Sequence, residues 1–258
     1  MSATSRQPQP LACRRCNQHF KTRADLLTRY PGWRPNTCPA CYCNGSPFPA
    51  ALARLGLTNL YHLTTVPNLA GIAEQGLLPR ARLTAGAFTD IAYPDALDLR
   101  ARYPLELADG TRIQADEMVP LFFSAKNPMT FKRRVHTGRC IVVIDVAKLF
   151  EQSVTIVFSD GNLASGASKT SVYHQPRDLQ HLNDAVLNAP YWTDPNLDER
   201  ANKERKRQRA AEFLVSPSIE PAAFDHIAVP RHADVAVAQQ QIQDENATPV
   251  RANSLLFC

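Results

Sequence analysis

Five short apolar runs constrain the fold of this chain more than any other feature. They are MVPLFFS (Met118 to Ser124), CIVVIDV (Cys140 to Val146), SVTIVFS (Ser153 to Ser159), EFLVS (Glu212 to Ser216) and HIAVP (His226 to Pro230). Each is rich in β-branched or aromatic residues and ends at a charge or a turn residue, so each reads as a strand. None has the length or the 3.6-residue period of a bundle helix. NLYHLT, near residue 60, is a further strand. Helices are fewer. PNLAGIAEQGLL has Pro67 near its start, Leu69, Ile72 and Ala73 on one face, and Gly76 as a C-cap. YPDALDLRARY and DERANKERKRQRAA are two more. The 20 prolines of 258 residues exceed the usual share of about 5% and also disfavour a helix bundle. Strands in blocks with peripheral helices predict an α+β fold built on a small mixed β-sheet.

Charge divides the chain unevenly. Residues 1–34 hold Arg6, Arg14, Arg15, Lys21, Arg23, Arg29 and Arg34 against Asp25 alone, whereas the remainder is close to neutral. The organisation expected is a disordered lead over 1–10, a cysteine-rich module over 11–47, a main domain over 50–235 and a tail over 236–258. A short helix is expected from Arg23 to Arg29. NGSPFP (Asn44 to Pro49) reads as a linker by its turn residues. The tail is polar and Gln-rich and reads as a last helix and a loose end. No apolar run approaches the ~20 residues of a membrane helix. The polar N-terminus lacks the apolar core of a secretory signal.

Cys13-x-x-Cys16 and Cys38-x-x-Cys41, with 21 residues between the pairs, form two knuckles able to supply four thiolates to one tetrahedral Zn2+. Arg14 and Arg15 favour the thiolate form. Cys43 and His19 are weaker candidates, and Cys140 reads as buried packing. The metal pattern implies a reducing, cytoplasmic location rather than a disulfide framework. With Phe20, Tyr30, Trp33 and the local positive charge, the module could also clamp a nucleic acid.

Five segments of the main domain, in order, resemble the DarT family, NAD-dependent ADP-ribosyltransferases that modify bases in DNA. They are YHLTTVPNLAGIAEQGLL (Tyr61 to Leu78), DIAYPDALDLRARY (Asp90 to Tyr103), VPLFFSAKNPMTF (Val119 to Phe131), FSDGN (Phe158 to Asn162) and AAEFLV (Ala210 to Val215). The resemblance covers about residues 58–230 and implies that NAD is held in a split cleft of the sheet. It assigns Glu212 as the catalytic carboxylate. Read alone, a carboxylate opening an apolar strand is either a solvated strand end or a group buried for a purpose. The chemistry needs such a group, because a cationic ribose develops as nicotinamide leaves. The resemblance also implies a functional arginine, Arg100, with Arg102 as the alternative. A thymine imide nitrogen is a weak nucleophile and needs help of this kind. His62, Thr64 and Asn68 match positions lining the NAD pocket, and Tyr93 and Met129 are expected beside them. Family members act as toxins or as phage-defence effectors, and the first role implies a macrodomain-type ADP-ribosylglycohydrolase antitoxin as partner.

RANKERKRQR (Arg200 to Arg209) holds six Lys/Arg against one Glu just before Glu212. If helical, it presents cations all round and is exposed. Lys203, Arg205, Lys206, Arg207 and Arg209 are therefore candidates for a phosphate-tracking surface, against a merely solvated face. Chemistry on a base favours single-stranded DNA as substrate. The rivals are an RNA-modifying NAD enzyme such as a 2′-phosphotransferase and a non-catalytic zinc-ribbon nucleic-acid-binding protein. No GxGxxG follows a strand, which excludes a Rossmann dinucleotide site.

Overall fold

The structure is a computed structural model, and it describes residues 11–12, 19–20, 47–84, 86–164, 170–242 and 248–257. Cys13, Cys16, Cys38, Cys41 and the helix expected over Arg23–Arg29 lie outside the described residues. Strands β1 (Leu11–Ala12) and β2 (His19–Phe20) pair antiparallel. Helix α1 (Pro47–Arg54) takes in the last three residues of the expected linker. A proline at the start of a helix has its φ already set and lacks an N–H that the first turn would leave unbonded. Pro47 therefore opens α1, which buries Phe48 and Leu52 one turn apart.

Strand β3 (Asn59–Thr65) runs through a 3-10 turn into α2 (Leu69–Gln75). Gly76 ends α2 at φ 77°, and a Cβ there would meet the Ile219 carbonyl oxygen at 2.2 Å. Only glycine serves at that point, where Leu77 bridges to Ile219. Next come α3 (Pro94–Ala101) and a hairpin of β4 (Pro104–Glu106) and β5 (Arg112–Gln114). They lead to β6 (Val119–Phe122), α4 (Pro128–Lys132) and β7 (Arg139–Asp145). The chain continues through α5 (Val146–Leu149), β8 (Thr155–Ser159), β9 (Val172–Tyr173) and α6 (Asp184–Leu187). It closes with α7 (Glu199–Arg209), β10 (Glu212–Ser216), β11 (Phe224–Val229), α8 (Ala233–Ile242) and β12 (Val250–Ala252).

The sheet is mixed as expected but not small, with eight strands in the order β12-β11-β7-β3-β6-β10-β8-β9. The two outer strands, β9 and β12, are too short and polar to show an alternating pattern. β12 runs parallel to β11, and the other neighbours are antiparallel. The tail is correspondingly not loose over its described residues. α8 buries Ala238 and Ile242, β12 extends the sheet, and Phe257 is buried.

The sheet divides at its middle. β3 pairs with β7 along its whole length, but with β6 only at Tyr61↔Phe122. Two quartets of strands thus meet at one ladder pair. Beneath them, Phe48, Phe123, Phe158 and Phe213 share a core cluster with Leu60, Val142 and Ile144. Their rings meet edge to face, Phe123 and Phe213 at 5.7 Å. Two smaller clusters occupy other positions. One joins Leu105, Met118, Val157, Leu163 and Leu214, and the other joins Ala125, Ile141, Val143 and Phe257, with Tyr61 against it. The cross-strand row Tyr61–Phe122–Glu212 runs between them.

Candidate active site

Glu212 is wholly buried, which excludes the solvated strand end. Its N–H donates to Ser159 Oγ at 3.3 Å, and Leu163 N–H donates to its Oε2 at 3.3 Å. Arg100 Nη2 donates to Oε1 and completes an ion pair. Burial pushes the Glu212 carboxyl above its ordinary value, and the Arg100 guanidinium and Leu163 N–H pull it back.

Arg100 comes from the last turn of α3. That helix buries none of its side chains, so polar contacts near its two ends hold it in place. At the start, the Tyr93 ring lies under the Arg133 guanidinium, 3.5 Å from its centroid. At the end, Arg100 reaches Glu212, and its Nη1 is buried without a hydrogen-bond partner. A part-buried guanidinium whose shielded Nη1 has no partner suits an anionic or hydroxyl-bearing ligand. Arg102 instead lies in solvent, 3.8 Å from Asp98. Of the two arginines that the sequence leaves open, Arg100 reaches Glu212 and Arg102 does not.

A turn after β8 presents Leu163 N–H to Glu212, and it is braced from α7. Arg207 Nη1 donates to the Asp160 carbonyl at 2.9 Å and lies 3.0 Å from the Asp160 carboxylate. Arg207 also pairs twice with Glu204, at 2.8 and 2.6 Å. Ser159 Oγ donates to the Gly161 carbonyl at 2.6 Å. Sequence reasoning missed this brace. Its one signal was the Glu204–Arg207 spacing of three, which puts the pair on one helix face.

The picture of α7 as cationic all round is therefore corrected. Arg209 is buried. Its Nε donates to the Lys126 carbonyl at 2.6 Å, and its Nη1 donates to those of Val186 and Leu187 at 2.6 and 2.5 Å. Arg205, one turn earlier, donates to the Tyr191 carbonyl at 3.3 Å. Arginine's forked donors match the carbonyls that a helix end leaves open, which turns this face toward protein. Arg200, Lys203 and Lys206 remain exposed.

Across the split lies a second group. His62 Nδ1 donates to the Pro120 carbonyl at 2.9 Å, just beyond the Tyr61–Phe122 pair. With Nδ1 protonated, Nε2 of the neutral ring is left as an acceptor. Burial lowers the His62 pKa and favours that neutral form. Asn68 donates to Thr64 Oγ1 at 3.1 Å and to the Thr89 carbonyl at 2.9 Å, and accepts from Thr89 N–H at 2.7 Å. Asn68 thus fixes the loop that leads to α3. Met129 is half-buried on α4, and Tyr93 is 47% exposed at the start of α3. Among the described residues, no cluster of His, Cys, Asp or Glu could hold a metal. No helix among them is long and apolar enough to cross a membrane.

A sheet split at one ladder pair, with a carboxylate buried under an arginine beside the split, defines an ADP-ribosyltransferase-type core. Residues 61–255 match the family described as "ssDNA thymidine ADP-ribosyltransferase, DarT", and the chain belongs to that family. It is 25% identical over 203 residues to a Thermosipho africanus DNA ADP-ribosyl transferase–DNA ADP-ribosyl glycohydrolase fusion protein. That match covers 77% of this chain and spans 49% of the fusion protein. Among solved structures, the fold matches Thermus sp. 2.9 DarT in complex with ADP-ribosylated ssDNA, with TM-score 0.64 and 20% identity. The overlap covers 79% of this chain and 97% of that one. The same Thermus protein in complex with NAD+ matches with TM-score 0.60 and 20% identity, over 78% and 98% of the two chains.

Proposed function

We propose that this chain transfers ADP-ribose from NAD to a base in single-stranded DNA and releases nicotinamide. The observation that carries the reading is the buried Arg100–Glu212 pair beside the split. Family membership and the NAD+ and ADP-ribosylated ssDNA bound by the Thermus protein support it. The family description favours thymine as acceptor, with guanine the alternative base.

When bound, NAD supplies the ADP-ribosyl group and nicotinamide as leaving group. Residues fit for it are present: the free Nη1 of Arg100, the acceptor Nε2 of His62, and Thr64, Asn68, Tyr93 and Met129 around the approach. The bond from ribose to nicotinamide breaks and a bond from ribose to a base nitrogen forms, with the nitrogen's proton passing to solvent. The Glu212 carboxylate stabilises the cationic ribose, held ready by Leu163 N–H and Arg100. Arg100 stabilises either the diphosphate or the base anion. A 2′-phosphotransferase would not need this glutamate. Incubation with NAD and a single-stranded oligonucleotide, weighed by mass spectrometry, is expected to show addition of one ADP-ribose. Unmodified DNA with intact NAD would overturn the proposal.

The exposed cations Lys203 and Lys206 are the phosphate contacts expected on α7. Lys203→Ala and Lys206→Ala should each flatten the dependence of log affinity on log salt by about 0.7. Unchanged slopes would make that face merely solvated. Cys13, Cys16, Cys38 and Cys41 are proposed as zinc ligands on their donor chemistry. Elemental analysis should then find stoichiometric zinc, lost in Cys38→Ser, and a metal-free protein would remove the module. The cysteine pattern supports a cytoplasmic location. The glycohydrolase in the name of the Thermosipho fusion supports a macrodomain-type antitoxin as partner.

A further inference from the structure

Helix α4 ends by sending its side chains in two directions. Arg133 turns inward and covers Tyr93. Phe131 and Arg134 turn outward, with the Arg134 guanidinium 3.8 Å from the Phe131 ring centroid. The same guanidinium donates to the Phe131 carbonyl at 3.0 Å, which fixes it over the ring. Trp192 meets Phe131 obliquely, with centroids 5.3 Å apart and planes at 63°. Tyr191 follows, 67% exposed, its carbonyl held by Arg205. None of these rings belongs to a core cluster. Phe131 and Tyr191 are exposed and Trp192 is half-buried against Phe131, which leaves aromatic surface in solvent and marks a contact surface.

We infer that Phe131, Trp192 and Tyr191 form a stacking platform for unpaired bases flanking the base that is modified. The inference rests on the single-stranded DNA reading above and names where the rest of the strand lies. Charge favours this occupant. Lys132, the last residue of α4, and Arg134 just beyond it border the Phe131 ring, and Arg200, Lys203 and Lys206 lie exposed on α7, which Arg205 ties to Tyr191. Of the nearby carboxylates, Glu204 shares Arg207 with Asp160, Asp194 accepts hydrogen bonds from Asn196, Asp198 caps α7 at Ala201 N–H, and Glu199 lies exposed in its first turn. Rings interleaved with cations suit nucleic acid, because bases stack while phosphates find counter-charges. A protein-binding patch would instead be depleted of lysine at its centre. Position also fits. The platform adjoins Arg133, which covers Tyr93, and from Tyr93 helix α3 leads over about 10 Å to Arg100 on Glu212.

The chain has two tryptophans, so Trp33→Phe leaves emission from Trp192 alone. Titration of that protein with a short single-stranded oligonucleotide is expected to quench the emission. A strand of abasic sites carrying the same phosphates is expected to leave it unchanged. Phe131→Ala and Trp192→Ala should each weaken binding about tenfold, whereas Trp192→Phe should restore most of the affinity. Melting curves confirm that the variants fold. Binding without quenching, and without loss of affinity in Trp192→Ala, would overturn the platform and leave the transferase reading intact. Quenching by the abasic strand would also overturn stacking. No binding of any single strand by the parent protein would overturn both.

Discussion

Glu212→Gln is expected to slow ADP-ribose transfer to single-stranded DNA by about a hundred- to a thousandfold in a protein that still folds. Glutamine keeps the side chain's volume, but its single oxygen accepts from only one of Leu163 N–H and Arg100 and its NH2 faces the other. What it lacks is the negative charge opposite the cationic ribose. A rate within tenfold of the parent would remove Glu212 from the chemistry. The direction of its pKa adds a pH test. The ionised form is the active one, and burial holds the carboxyl above the ordinary glutamate value of about 4.3. The acid limb of the rate profile should therefore lie above that value, and Arg100→Ala, which removes a stabilising cation, should move it higher still. A limb that moved down in Arg100→Ala would contradict the pairing. The sign for stability is separate. A raised carboxyl stabilises the fold below the unfolded-state value and loses that contribution as pH rises through the folded-state value. Glutamine therefore does not weaken the fold at neutral pH through this group.

Arg209→Ala is the second large effect, and it is one of stability. The hydrogen bonds of Arg209 to three main-chain carbonyls are lost at once; that of Lys126 is left bare, while Val186 keeps Ala189 N–H and Leu187 keeps Ser124 Oγ. One bared acceptor and two further lost charge-assisted bonds cost about 3 kcal/mol. For a chain of this size that lowers the melting temperature by roughly 10 °C. Lys206→Ala, on an exposed residue of the same helix, should stay within about 0.5 kcal/mol of the parent. A stable Arg209→Ala protein with weakened DNA affinity would return Arg209 to the phosphate surface.

The strands of the core were legible because β-branched and aromatic runs of four to seven residues carry their own signature. β4, β5, β9 and β12 were not, since two or three residues show no period. Pro47 misled because proline and turn residues read alike until the N–H arithmetic of a helix start is applied. The Arg100–Glu212 pair is 112 positions apart, and only family resemblance linked the two residues. No sequence pattern announces the Leu163 N–H, because a backbone donor has no residue type. The misreading of α7 has the same root. Composition counts cations but does not say which of them point at carbonyls, and Arg207 and Arg209 both do.

The single ladder pair at the centre of the sheet has a mechanical consequence. Along most joints of a sheet, relative movement of two strands breaks hydrogen bonds in series. Here the bonds of Tyr61 with Phe122 and the His62–Pro120 hydrogen bond stand in the way. What otherwise couples the quartets is the apolar cluster in which Leu60, Val142 and Ile144 of one quartet share a core with Phe158 and Phe213 of the other, contacts that carry no directional bond. The joint thus carries less directional bonding than its neighbours, one strand away from Glu212.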